Sequence, residues 1–66
     1  MTKEQMFTII CFYRKAVHNE LDENSINKEI LKARKDLDLS YALKGEEDLS
    51  IANYLNELLS IQSSLS

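Results

Sequence analysis

The sequence predicts an all-α fold, an antiparallel helical hairpin plus a third helix that together form a three-helix bundle. The chain of 66 residues has no proline and one glycine, so few residues would interrupt a helix. Its apolar residues recur every three or four positions, which is the period of an α-helix. Residues typical of helix ends divide the chain into predicted helices at about residues 3–21, 25–44 and 49–62.

The first predicted helix, residues 3–21, begins at a capping box and is apolar over more than half of its circumference. Thr2 and Gln5 have the spacing at which each side chain binds the other residue's backbone N–H. A β-strand is the competing interpretation of residues 6–13, but the chain has no second run of this kind to pair with it. One apolar stripe is expected to face the second helix: Met6, Ile10, Tyr13, Val17 and Leu21.

Further apolar side chains extend the surface of the first helix beyond this stripe. Ile9 and Phe12 widen it, whereas Phe7 and Cys11 fall outside it. Aromatic side chains are typical anchors of protein interfaces. We therefore predict an interaction surface at Phe7, Ile9, Cys11 and Phe12, with coverage of these residues by the third helix as the alternative.

The second predicted helix, residues 25–44, has an apolar stripe of the same rhythm. Its N-cap is expected at Asn24 or Ser25, with Asn24 slightly favoured, and its C-cap at Gly45. Because a short turn joins them, the first two helices should lie antiparallel with their stripes facing each other. The stripe consists of Ile26, Ile30, Ala33, Leu37 and Tyr41.

The third predicted helix, residues 49–62, follows three acidic residues, and Asp48 or Ser50 is expected to cap it. We expect it to pack into the groove between the first two helices. The alternative is a hairpin whose third helix packs on a second copy, so that dimerisation completes the bundle. Its apolar residues are Ile51, Leu55, Leu58 and Leu65, flanked by Tyr54, Leu59 and Ile61.

Composition restricts the class of protein. Residues 1–66 are enough for a single small domain, and a chain of this length buries only about 60% of its unfolded surface when it folds alone. One cysteine and no secretory signal predict a cytoplasmic protein. The apolar run is far shorter than the roughly 20 residues that cross a membrane. A net charge of −3 without a dense basic surface argues against nucleic acid as a partner.

The reactive residue types do not form a catalytic or metal-binding pattern. Cys11 and His18 are seven positions apart, or about 10.5 Å along a helix, which is too far for a thiol and its base. His18 and Asp22 are one turn apart, but two ligands do not make a structural metal site. We expect no catalytic residue, no metal, no cofactor and no small-molecule substrate.

Residues 30–38, with Arg14 and Lys15 upstream, resemble the short two-helix aspartyl-phosphate phosphatases of sporulating bacteria. In that family a Ser-Gln-Glu-Leu-Asp motif on the second helix acts on a phosphorylated response regulator. Leu37 and Asp38 match the motif, whereas Asp36 stands where the family has glutamate, and the third helix is an addition. The resemblance implies Asp38 as the functional residue. Residues 24–60 also resemble, in pattern, part of the small helical immunity proteins that protect bacteriocin producers.

The leading functional prediction is a small, non-enzymatic protein-interaction module. It would act as an inhibitor, adaptor or antagonist of a larger protein, or associate with a second copy through its first helix to form a homodimer. The alternatives are the phosphatase and the immunity-like protein that the two resemblances imply.

Overall fold

The computed structural model describes residues 1–65, which form three α-helices and no strand: α1 (Lys3–Val17), α2 (Glu23–Lys44) and α3 (Leu49–Ser64). All three pairs of helices are in contact, so the predicted three-helix bundle is confirmed. The molecule is elongated, with extents of 40 × 21 × 14 Å. Its length reflects α2, whose 22 residues span about 33 Å at 1.5 Å per residue.

Three of the predicted helix ends are confirmed. The Gln5 N–H donates to Thr2 Oγ1 at 3.1 Å and the Thr2 N–H donates to Gln5 Oε1 at 3.0 Å, which is the capping box. Gly45 ends α2 with φ of 74°, a left-handed conformation that glycine adopts without steric cost. Asp48 caps α3, because its Oδ1 accepts from the Ser50 N–H at 2.9 Å.

Helix α1 ends at Val17, four residues earlier than predicted. The Glu20 N–H donates to the Lys15 carbonyl at 2.8 Å and the Asn19 N–H donates to the Ala16 carbonyl at 3.2 Å. These two bonds form a Schellman motif, with Asn19 in the left-handed conformation at φ of 55°. Asparagine tolerates this conformation better than most residues, so Asn19 ends the helix without a glycine.

The start of α2 also differs from the prediction. Asp22, and not Asn24 or Ser25, is the N-cap, because Asp22 Oδ1 accepts from the Asn24 N–H at 3.0 Å. A carboxylate is a favourable cap because it also interacts with the positive end of the helix dipole.

Helix α3 is the central element of the fold. It packs extensively against both α2 and α1, whereas contact between α1 and α2 is limited. The expectation that α1 and α2 face each other along their stripes is therefore wrong. The buried apolar core comes from all three helices and consists of Ile9, Ile26, Ile30, Ala33, Tyr54, Leu58 and Ile61.

Polar contacts show the helix directions. The Gln62 amide donates to Asn27 and the Tyr54 hydroxyl donates to Glu29, so α2 and α3 are antiparallel. Along α1, Gln5 borders the same groove as Ile51, and Tyr13 binds Glu57 further on. The chain therefore runs up, down and up, with α1 parallel to α3.

Helix α1 is rotated relative to the prediction, so its main apolar stripe faces solvent. Ile9 is buried in the core, and Phe12 and Ala16 pack against it. This inward side has the same helical spacing as the stripe, so periodicity alone could not distinguish the two sides. The residues expected inside but found exposed are Met6, Ile10, Tyr13 and Val17.

The other two helices bury most of the expected side. In α2, Ile26, Ile30 and Ala33 are in the core, but Tyr41 is exposed and Ser40 is buried in its place. In α3 the helix is turned slightly, so that Tyr54, Leu58 and Ile61 form its buried side. Ile51 and Leu55 are half-buried, and Leu65 is exposed.

Truncation of a fully buried core residue tests this packing. Leu58→Ala should lower the free energy of unfolding by about 2–5 kcal/mol, because it removes buried methyl groups and leaves a cavity. Leu31→Ala, at an exposed position of α2, should change it by no more than about 0.5 kcal/mol. Urea denaturation followed by circular dichroism measures both. Equal effects of the two substitutions would contradict the assigned core.

Candidate functional site

An apolar strip runs along the solvent side of α1. We call it the outer stripe and define it as Met6, Ile10, Tyr13 and Val17. Val17 is 78% exposed and Ile10 is 55% exposed, and Phe7 lies beside the stripe at 69% exposed. Other large apolar side chains are exposed near the end of α2 and the start of α3, namely Leu39, Tyr41, Leu43 and Leu49.

The outer stripe is straight because of its residue spacing. Steps of four, three and four positions keep the four side chains within an arc of about 60° at 100° per residue. The eleven steps from Met6 to Val17 cover about 17 Å of helix. Since the opposite side of α1 is held by the core, the outer stripe is presented on a rigid element and not on a loop.

Glu57 of α3 borders the outer stripe on one edge. The Tyr13 hydroxyl donates to Glu57 Oε2 at 3.0 Å. This hydrogen bond raises the pKa of Tyr13 above its ordinary value, with smaller contributions from desolvation and from the negative charge of Glu57. The opposite edge carries Arg14, which is 100° further round the helix than Tyr13. The stripe therefore lies between an anionic edge and a cationic edge.

The four interaction residues predicted from the sequence do not form one exposed surface. Phe7 is exposed, in agreement with its expected position outside the helix contact. Ile9 is only 7% exposed and belongs to the core of the single chain. Phe12 is half-buried against the same core. Cys11 is a free, half-buried thiol in a shallow depression that His18 also lines.

Sequence reasoning missed the outer stripe because it assigned those residues to the helix contact. A signal for the opposite assignment did exist. Ala16, seven positions after Ile9 and on the same side of the helix, is a small residue, and small side chains allow neighbouring helices to approach closely. Ala16 is half-buried in the structure.

A second feature is a polar groove of about 340 Å³ between the start of α1 and the middle of α2. Within it, the Tyr54 hydroxyl donates to Glu29 Oε1 at 2.9 Å. The pKa of Tyr54 is raised to about 12, first by burial and then by the hydrogen bond to Glu29 and the charge of Glu29, while a hydrogen bond with Thr8 opposes the increase. This pair joins α3 to α2, which indicates a structural role. The lining also includes Gln5, Lys32 and Asp36.

The carboxylates singled out by the phosphatase resemblance are exposed on α2. Asp36 borders the polar groove, and Asp38 lies on the open surface of the same helix. In the part of the chain that the structure describes, no three histidine, cysteine or acidic residues form a group able to hold a metal ion. None of the helices formed by residues 1–65 is long and apolar enough to span a membrane.

No protein-family model, curated protein or solved structure matches this chain. The phosphatase and immunity-like interpretations stay predictions, and a functional proposal has to be argued from the surface of the bundle.

The raised pKa of Tyr54 predicts a loss of stability at alkaline pH. The folded state favours the neutral phenol, so its contribution is fully present below the unfolded pKa of 10.0 and is lost as pH rises through about 12. Denaturation at several pH values should therefore show a shallower alkaline decline for Tyr54→Phe than for the native chain.

Glu29→Gln separates the two causes of this shift. The substitution should lower the pKa of Tyr54 only part of the way to 10.0, because burial is the larger cause and remains. Titration of tyrosinate absorbance measures the pKa. A Tyr54 pKa that is not raised above 10.0 in the native chain would contradict both expectations.

Proposed function

We propose that this chain is a small, non-enzymatic protein-interaction module that binds its partner through the outer stripe and Phe7. It acts as an inhibitor, adaptor or antagonist of a larger protein. The observation that carries the proposal is the exposure of these five large apolar side chains along one side of one helix. Contiguous apolar patches of this kind mark interaction sites on soluble proteins.

The arrangement fits the helix-in-groove mode of recognition. In that mode an amphipathic helix lays its apolar face into an apolar groove of the partner, with anchors three or four positions apart. Met6, Ile10, Tyr13 and Val17 have this spacing. Phe7 and Tyr13 supply the aromatic area that interface anchors need, and the flexible Met6 side chain adapts to an irregular groove.

Binding through this surface leaves the fold of the module intact. The residues that hold α1 to the bundle, such as Ile9 and Phe12, lie on its other side. The partner therefore receives a helix that is already formed, which lowers the entropy cost of association. An ordered helix of this kind suits an inhibitor that occupies a groove needed by another protein.

A cytoplasmic location is part of the proposal. The free thiol of Cys11 supports it, because an unpaired cysteine is typical of proteins in a reducing compartment.

A pair of matched substitutions tests the proposed surface. Ile10 and Leu31 are exposed to similar extents, 55% and 59%, in the interiors of α1 and α2. The native chain, immobilised in a reducing lysate of its host, should enrich a specific protein. Ile10→Glu should reduce that enrichment tenfold or more, since it places a charge in the apolar contact, whereas Leu31→Glu should retain it.

Circular dichroism provides the control for folding, because glutamate is a good helix former at both positions. If Ile10→Glu and the native chain enrich the same proteins equally, the outer stripe is not the binding surface.

A further inference from the structure

The two edges of the outer stripe carry opposite charges in the same part of α1. Glu57 is near Tyr13, because the Tyr13 hydroxyl donates to its carboxylate. Arg14 is the next residue along the helix and lies on the other edge, where it also borders the depression that contains Cys11 and Glu20. The surface is therefore an apolar strip with an anion on one edge and a cation on the other.

A surface of this kind is complementary to itself under one particular symmetry. A two-fold axis parallel to α1 places the cationic edge of each copy against the anionic edge of the other, and it does so twice. A two-fold axis perpendicular to α1 instead brings the two cationic edges together, which is unfavourable. Charge complementarity therefore favours two parallel α1 helices.

The apolar residues of the stripe are compatible with a pair of helices. Their spacing corresponds to a short heptad pattern with Ile10 and Val17 at a positions and Met6 and Tyr13 at d positions. When paired helices are parallel, β-branched residues at a positions are typical of two strands rather than three or four. The parallel orientation places helix ends of the same partial charge side by side. Their repulsion is small at an exposed surface and is screened by salt.

The largest apolar patch on a monomer typically measures about 300–600 Å², so two such patches would together bury about 600–1,200 Å². The upper part of this range reaches the lower limit of about 1,000 Å² for a specific interface. A chain of 66 residues has a small core, and self-association is a usual source of extra stability for such chains.

We propose that the outer stripe is the interface of a parallel, two-fold symmetric dimer of this chain, with Arg14 of each copy beside the partner's Glu57. The inference rests on the surface of the proposed function and names a second copy as its occupant. The dimer forms by mass action and so depends on concentration.

Sedimentation equilibrium of the full chain under reducing conditions tests the dimer, with reductant present to prevent a disulfide between Cys11 thiols. The native chain should show a concentration-dependent monomer–dimer equilibrium. Ile10→Glu should be monomeric at every concentration, and Leu31→Glu should dimerise like the native chain. A native chain that stays monomeric throughout overturns the inference.

Charge reversal tests the parallel arrangement. Arg14→Glu and Glu57→Lys should each weaken dimerisation about tenfold, because every dimer contains the pair twice. The double variant, with both charges exchanged, should recover an affinity within about threefold of the native value, because each pair is restored with reversed sign. A dimer that Ile10→Glu disrupts but that the double variant does not recover overturns the parallel arrangement.

These outcomes separate the inference from the proposed function. If the native chain is monomeric but enriches a partner that Ile10→Glu loses, the dimer is wrong and the interaction module stands. If Ile10→Glu dimerises and enriches proteins like the native chain, both are wrong.

Discussion

The fold depends on one contact, the packing of Ile9 and its neighbours on α1 against the core that α3 shares with α2. Helix α1 has apolar residues on two sides, and a bundle of three helices covers only one of them. Because α3 lies against both other helices, it determines which side of α1 is buried. The outer stripe is exposed because the opposite side of α1 is the side that packs against α3. The functional proposal therefore depends on a packing arrangement and not on a sequence motif.

Local signals allowed much of the secondary structure to be predicted. The Thr2 capping box, Gly45 at the end of α2 and Asp48 at the start of α3 act through bonds to nearby backbone groups, so the sequence around each one is sufficient. The early end of α1 was missed because its Schellman motif uses Asn19 where glycine is the usual residue. Asp22 was missed as a cap because two nearby residues, Asn24 and Ser25, are also good caps.

The rotation of α1 could not be predicted from periodicity. Ile9, Phe12 and Ala16 recur at helical spacing in the same way as Ile10, Tyr13 and Val17, so each set is compatible with a core. The choice depends on how α1 fits against α3, which involves residues more than forty positions away, such as Glu57. The interaction surface was consequently assigned to a mixture of buried and exposed residues, of which Phe7 alone is strongly exposed. For the N-terminal half of α2 the predicted buried residues were correct, because polar residues on the other sides of this half leave a single apolar side.

Nuclear magnetic resonance of the dilute, reduced chain tests most directly which side of α1 is buried. Ile9 and Ile10 are adjacent in sequence, but the structure puts the first in the core and the second on the surface. Methyl NOEs should connect Ile9 to core side chains of α2 and α3, whereas Ile10 should show contacts only within α1. NOEs from Ile10 to Leu58 or Ile61, with Ile9 left without them, would contradict the packing from which the outer stripe is derived.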